Sequence, residues 1–227
     1  MGITVKGIDA PALADFGSDQ HPEAKPKITP RASDGHDNGW PSGDDGAANG
    51  QDGITGDAGF SGQDGLNGGN TPPSIDIHIT TFIDGFFGVT VRGGNGARGQ
   101  KGGIGGGGGE GQDGGNGDGD VSPGNGGKGG RGGAGGVGGS GGNGGNASDI
   151  NLYVENPDNI DLNNVNIAFS QGFKGGKGPG GRGGPGGLGG RRGASGERST
   201  GGSEGPEGAA GSVSGNDGSA GSLQIYV

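Results

Sequence analysis

The residues best placed to do chemistry are acidic and lie in GGNGDGDVS, residues 114–122. This stretch is close to the calcium-binding nonapeptide GGxGxDxUx, with Val121 at the large apolar place and Asp118 and Asp120 flanking Gly119, where that repeat has its aspartate. Calcium takes oxygen from carboxylates and backbone carbonyls, so Asp113, Asp118 and Asp120 are the candidate ligands of one ion. Such nonapeptides work as stacked arrays that share ions, and this chain has one imperfect copy. The competing reading is therefore a solvated acidic turn, and no other metal or cofactor is expected.

Other chemistry finds less support. His78 stands two residues from Asp76, which on a strand puts both on one face, a pattern that reads as a solvent-facing pair when no third partner is spaced for it. His21 and His36 show no such spacing. GGxG runs lead into no helix-forming segment, so they do not make a phosphate loop. No enzyme activity is expected.

Basic residues gather in one region: Lys174, Lys177, Arg182, Arg191 and Arg192 form a candidate stripe. Arg131-Gly132-Gly133 and Arg182-Gly183-Gly184 match RGG segments that bind RNA, but few aromatic residues accompany them and the formal net charge is -10. That balance disfavours general nucleic-acid binding and leaves an RGG-type binder as a remote alternative. Ice binding needs a flat, regular, weakly charged face. The line Lys128, Arg131, Ala134, Val137, Ser140 and Asn143 meets that only in its second half.

The elements that must carry these residues are set by glycine, 70 of 227 residues, while only 24% are hydrophobic and cysteine is absent. Neither an ordinary apolar core nor a disulfide framework is available. Glycine recurs at every third place over residues 50–68, 93–117, 124–145 and 172–196, and with one slip over 202–221. Flexible linkers have no reason to hold phase in this way. The period predicts a glycine-rich bundle of antiparallel polyglycine-II helices, three residues per turn, left-handed and extended, with essentially no α-helix. A collagen triple helix is disfavoured by the scarcity of proline inside the tracts, and disorder is the remaining alternative.

Alternating apolar segments between the tracts predict short β-strands at one end: Ile3 and Val5; Ile75, Ile77 and Ile79; Val89 and Val91; Ile150, Leu152 and Val154; Val165, Ile167 and Phe169; Leu223, Ile225 and Val227. The first strand of each repeat begins near 3, 75, 150 and 223, about three repeats of 72–75 residues. The expected division is an N-terminal strand and irregular arm over 1–34, a first glycine unit over 35–74, a second over 75–149, and a third over 150–227 with a closing strand. Together they form one rod-like domain. Ile54, Phe60 and Leu66 share a face and are expected to cover an inner layer. The acidic residues 1–70 are expected to pack beside the basic tract over 172–198.

The phased tracts, such as GGNGARGQKGGIGG and GFKGGKGPGGRGGPGGLGG, resemble the glycine helices of springtail antifreeze proteins, phage long-tail-fibre tip adhesins and the N-terminal domain of Obg GTPases. The resemblance covers residues 43–68, 93–145 and 172–221 and implies a shared architecture. Springtail antifreezes carry disulfides, which this chain lacks, and no GKS or GKT phosphate loop is present.

The reading that follows is a non-enzymatic structural or binding module, a rigid rod of surface, fibre or adhesin type that presents loops for recognition or self-assembly. An ice-binding protein is the alternative. The candidate binding loops hold Asp118, Asp120 and Val121 on one side and Glu197, Arg198 and Thr200 on the other, with a further loop over 155–164 near the strands. Expected partners are a protein or cell-surface ligand, or a second copy through strand edges. The first and last strands would pair within one molecule, giving pseudo-threefold closure, or between molecules, giving a filament. No secretory signal or membrane-spanning segment is read, so virion, extracellular and cytoplasmic locations stay open.

Overall fold

The computed structural model describes residues 2–17, 20–39, 42–80, 86–156, 158 and 161–227. Six strands form where β-branched and aromatic residues alternate with polar ones. They are β1 Gly2–Lys6, β2 Ser74–Ile79, β3 Phe87–Arg92, β4 Asp149–Val154, β5 Val165–Ser170 and β6 Leu223–Tyr226, with a 3-10 turn at Leu162–Asn164.

These strands make two parallel three-stranded sheets, β1-β3-β5 and β2-β4-β6. Register aligns Val5, Val91 and Phe169 in the first sheet and Ile77, Leu152 and Ile225 in the second. The sheets share one apolar core. Val89 and Val91 of β3 and Ile150 and Leu152 of β4 are at most 1% exposed, so the two middle strands form its centre. Burying each such side chain contributes roughly 1.5–3 kcal/mol.

The expected bundle of antiparallel polyglycine-II helices is not what forms. The regular structure is the pair of parallel sheets, and the glycine tracts carry neither helix nor strand. The expectation of one antiparallel sense also fails. Gly53 donates to the Lys128 carbonyl and Gly56 to that of Arg131, so these segments run the same way; Gly103 donates to Phe60 and Gly106 to Asp57, so those oppose. Successive tracts alternate in direction, and tracts two apart become direct parallel neighbours.

The result is two layers. In one, the arm over 7–17 and 20–35 runs beside tract II (93–117) and then tract IV, which the structure ends at Gly190 because Gly193 and Gly196 belong to a turn. In the other, tract I (50–68), tract III (124–145) and tract V (202–221) lie side by side. Strands β1, β3 and β5 lead into the first layer, and β2, β4 and β6 leave the second. All six strands therefore sit at one end, and the turns that join tract to tract sit at the other. The arm is not a loose appendage: Ala10, Lys25, Ala32 and Gly35 donate to carbonyls of Asn95, Gly107, Asp113 and Asn116. Strands β1 and β6 belong to different sheets, so the expected closure between them within one molecule does not occur.

Close backbone approach explains the glycine pattern. A side chain at Gly132 would overlap the Gly184 carbonyl of tract IV, and one at Gly133 the Asp57 carbonyl of tract I. Tract III, flanked on both sides, needs both glycines. Tract I has one glycine per triplet, and Ile54, Phe60 and Leu66 occupy its open edge about half exposed, with Phe60 6.0 Å from Phe16. They border the arm rather than cover an inner layer. Tract IV neighbours tracts II, III and V, not the acidic residues 1–70 with which it was expected to pack, because chain direction and repeat order decide which tracts meet.

A second ladder uses side chains. N–H groups beside the glycines have no backbone acceptor, and Asn or Asp from the preceding parallel tract accepts them. Asp52, Asp64 and Asn67 accept from Lys128, Ser140 and Asn143, while Asn143 and Asn146 accept from Asn216 and Ser219. Each meets a donor that would otherwise lie against the neighbouring chain.

Neighbouring glycines in tract IV separate these effects. A Cβ on Gly175 would overlap the Ala97 carbonyl, whereas one on Gly176 meets nothing within 4 Å. Gly175→Ala should destabilise by about 1–3 kcal/mol and Gly176→Ala should change stability by less than about 1 kcal/mol. Thermal melts of the two variants check this.

Candidate functional site

At the end away from the strands, three turns meet. The first is the hairpin closed by His36 and Asp45, the second runs from Gly117 to Pro123, and the third is closed by Arg191 and Arg198. Each depends on glycine in the left-handed region: Gly119 has φ 54° and Gly193 has φ 58°. A side chain at Gly119 would also strike the Asp37 carboxylate, so the first and second turns are in contact. Asn116 joins the second turn to the third, its Oδ1 accepting from the Ala194 N–H at 2.7 Å.

Between the second and third turns lies a cleft of about 660 Å³, lined among others by Asn116, Val121, Pro123, Arg192 and Glu197. A smaller hollow of about 300 Å³ adjoins it, with Arg192 and Glu197 again on its wall beside Arg198 and Ser199. The tip thus brings together most of the predicted loop residues. Val121 is half-buried, Asp118 and Asp120 are exposed at the rim, and Thr200 opens the tract that follows. Arg198 reaches inward to the Gly189 carbonyl at 2.8 Å and lies 3.8 Å from Glu110. The loop over 155–164 stands at the other end and lies partly outside the described residues.

The candidate calcium ligands are not assembled. Asp113 Oδ2 accepts from Lys27 Nζ at 2.7 Å and Oδ1 from the Arg191 N–H at 2.7 Å, so this carboxylate ties the arm to tract IV. Among the described residues no group of three His, Asp or Glu is placed to hold a metal ion. Burial acts to raise the Asp113 pKa, but the Arg191 N–H and Lys27 outweigh it and hold the carboxyl below its ordinary value. Asp34 is lowered chiefly by the Asn116 N–H, Asp9 by the Asn95 N–H, and Asp149 by the Ser222 hydroxyl and N–H.

The basic stripe is split. Arg182 and Arg191 lie on the outward line of tract IV, Lys174 and Lys177 on its free edge, and Arg192 at the tip cleft; all are exposed. Lys128, Arg131, Val137 and Asn143 project from tract III between the side chains of tracts I and V, where Asp52 and Asp64 add opposite charge to that face. Sequence reasoning missed Asn116, Asp37 and Gly193. For Asn116 a signal existed, since asparagine directly before a phased glycine recurs at Asn67, Asn95 and Asn143, each of which accepts a neighbour's N–H.

The sequence matches no protein-family profile and no curated protein. Among solved structures, it is similar to a springtail antifreeze protein from Granisotoma rainieri described as a nine polyproline type II helical bundle, at 24% identity over 77% of this chain and 94% of that one. The TM-score is 0.09, so this likeness carries no argument about fold or function.

The bridging carboxylates give acid sensitivity with a definite sign. Asp9, Asp34, Asp113 and Asp149 have folded pKa values below the unfolded one, so their stabilisation is present above about pH 4 and is lost as pH falls through the folded values. Melting temperature should drop on acidification below pH 4. Asp→Asn replacement at these four positions keeps an acceptor oxygen and should flatten that dependence.

Proposed function

We propose that the chain is a non-enzymatic display scaffold whose tip recognises a protein or cell-surface ligand. The supporting observation is the cleft between the second and third turns, with Arg192 and Glu197 on its wall, acidic Asp118 and Asp120 exposed beside it, and the first turn packed against the second. Behind it, both layers are laced by N–H···O=C bonds at every third residue, as between Gly130, Gly133 and Gly136 and tract II. Binding residues on loops gain from such a support, because little further ordering entropy is lost when a ligand arrives. The wall of mixed charge suits a polar ligand surface. No helix among the described residues is long and apolar enough to cross a membrane, and nothing in this reading requires insertion.

The reading is tested by labelling the protein and measuring its binding to intact cells and to arrays of immobilised glycans and extracellular proteins. Arg192→Glu with Glu197→Lys should weaken binding about tenfold or more, and Asp118→Asn with Asp120→Asn should weaken it less. Substitutions on the outward line of tract III, such as Val137→Ser, should leave it unchanged. Binding indifferent to the tip variants would remove the proposal.

A further inference from the structure

The strand end has an opening of its own. β5 and β6 are the last strands of their sheets. A gap of about 290 Å³ beside them is lined by Leu152, Val165, Ile167, Leu223 and Ile225. Leu223 and Ile225 are 39% and 44% exposed although their register partners Ile150 and Leu152 are wholly buried. An unpaired apolar sheet edge of this kind is a template for another strand.

The tracts that continue this edge are also unsatisfied. Gly102, Gly105, Gly108 and Gly111 of tract II donate to Pro179, Arg182, Pro185 and Leu188 of tract IV. The corresponding glycines of tract IV, Gly180, Gly183, Gly186 and Gly189, find no acceptor among the described residues. Lys174, Lys177 and Arg182 on tract IV, and Glu204, Glu207 and Asp217 on tract V, enter no ion pair among those residues.

Two arrangements of a second copy are conceivable, and charge separates them. Head-to-tail addition would set acidic tract V against tract I, which carries Asp52, Asp57 and Asp64. It would also require close approach at Glu204 and Glu207, which stand where tract III has Gly132 and Gly135. A two-fold axis parallel to the tracts exchanges the layers instead. It sets basic tract IV against acidic tract V twice, and brings β5 beside β6 of the other copy in opposite directions with both apolar faces inward.

We propose that the β5–β6 edge and the adjoining sides of tracts IV and V form a two-fold interface with a second copy of this chain, β5 of each pairing antiparallel with β6 of the other. From Val165 to Gly190 the edge is roughly 80 Å long at about 3.1 Å per residue. With a width of about 10 Å for two packed layers, it offers about 800 Å² per copy, the size of a standard stable interface. The tip proposed to bind ligand takes no part, so either idea can fail alone.

The test is sedimentation velocity of the 227-residue chain from low to high micromolar concentration, at low and high salt. The expected result is a monomer–dimer equilibrium that stops at the dimer and weakens with salt. Ile225→Asp should weaken it at least about tenfold. Because that change could loosen β6, Glu204→Lys with Glu207→Lys provides a second probe outside the core. It should weaken the dimer, and added Lys177→Glu with Arg182→Glu should restore it. A monomer at every concentration, open-ended assembly, or a dimer indifferent to both sets of variants would overturn the proposal.

Discussion

Everything in this molecule depends on how close one backbone can lie to another. At every third residue a glycine N–H meets a carbonyl of the next tract with no room for a Cβ. Such contacts let backbone hydrogen bonds and their close packing do what side chains do elsewhere, which a chain with 24% hydrophobic residues requires. The same closeness forbids variation. A methyl group in the interior of tract III would push two tracts apart along their length, whereas side chains are free to vary on outward lines and open edges.

Support for the tip follows from this lacing. The second and third turns are each entered and left by tracts bonded to neighbours on more than one side, and the first is entered by the arm that lies along tract II. The side-chain ladder adds direction. An Asn or Asp accepts from the tract that follows it in the layer, so the ladder ties β1's arm to tract II, tract II to tract IV, and tract I through tract III to tract V. At the strand end the small apolar core provides an ordinary anchor. The molecule thus couples two kinds of order, one hydrophobic and local, the other built of backbone and repetitive.

Much of this was legible in the residues. The alternation around Ile75, Val89, Ile150 and Val165 marked the strands, and glycine phase marked the tracts. What the doublets mean became clear only with the neighbours known: GGRGGAGG in tract III has partners on both sides, and GITGDAGF in tract I has them on one. Pairing sense was not legible, because phase is identical for parallel and antiparallel neighbours. Pro22, Pro26 and Pro30 break any period in the arm, so its docking was not legible, yet a chain without regular structure needs no period to donate from Lys25 and Ala32. Asp113 looked like a cation ligand because spacing alone does not reveal Lys27, 86 residues away, on the same carboxylate.

The small size of the apolar core has a thermal consequence. Heat capacity rises on unfolding chiefly through apolar surface newly exposed to water, and exposure of polar backbone lowers it. Among the described residues the largest fully buried side chains are only Ile150, Leu152, Val89, Val91 and Ser148, while the tracts bury mostly peptide groups. The unfolding heat capacity per residue is therefore well below that of an ordinary domain, and the curve of stability against temperature is broad and shallow. A scaffold laced by its backbone loses less in the cold than one held by oil, and its working range is set by the number of its hydrogen bonds.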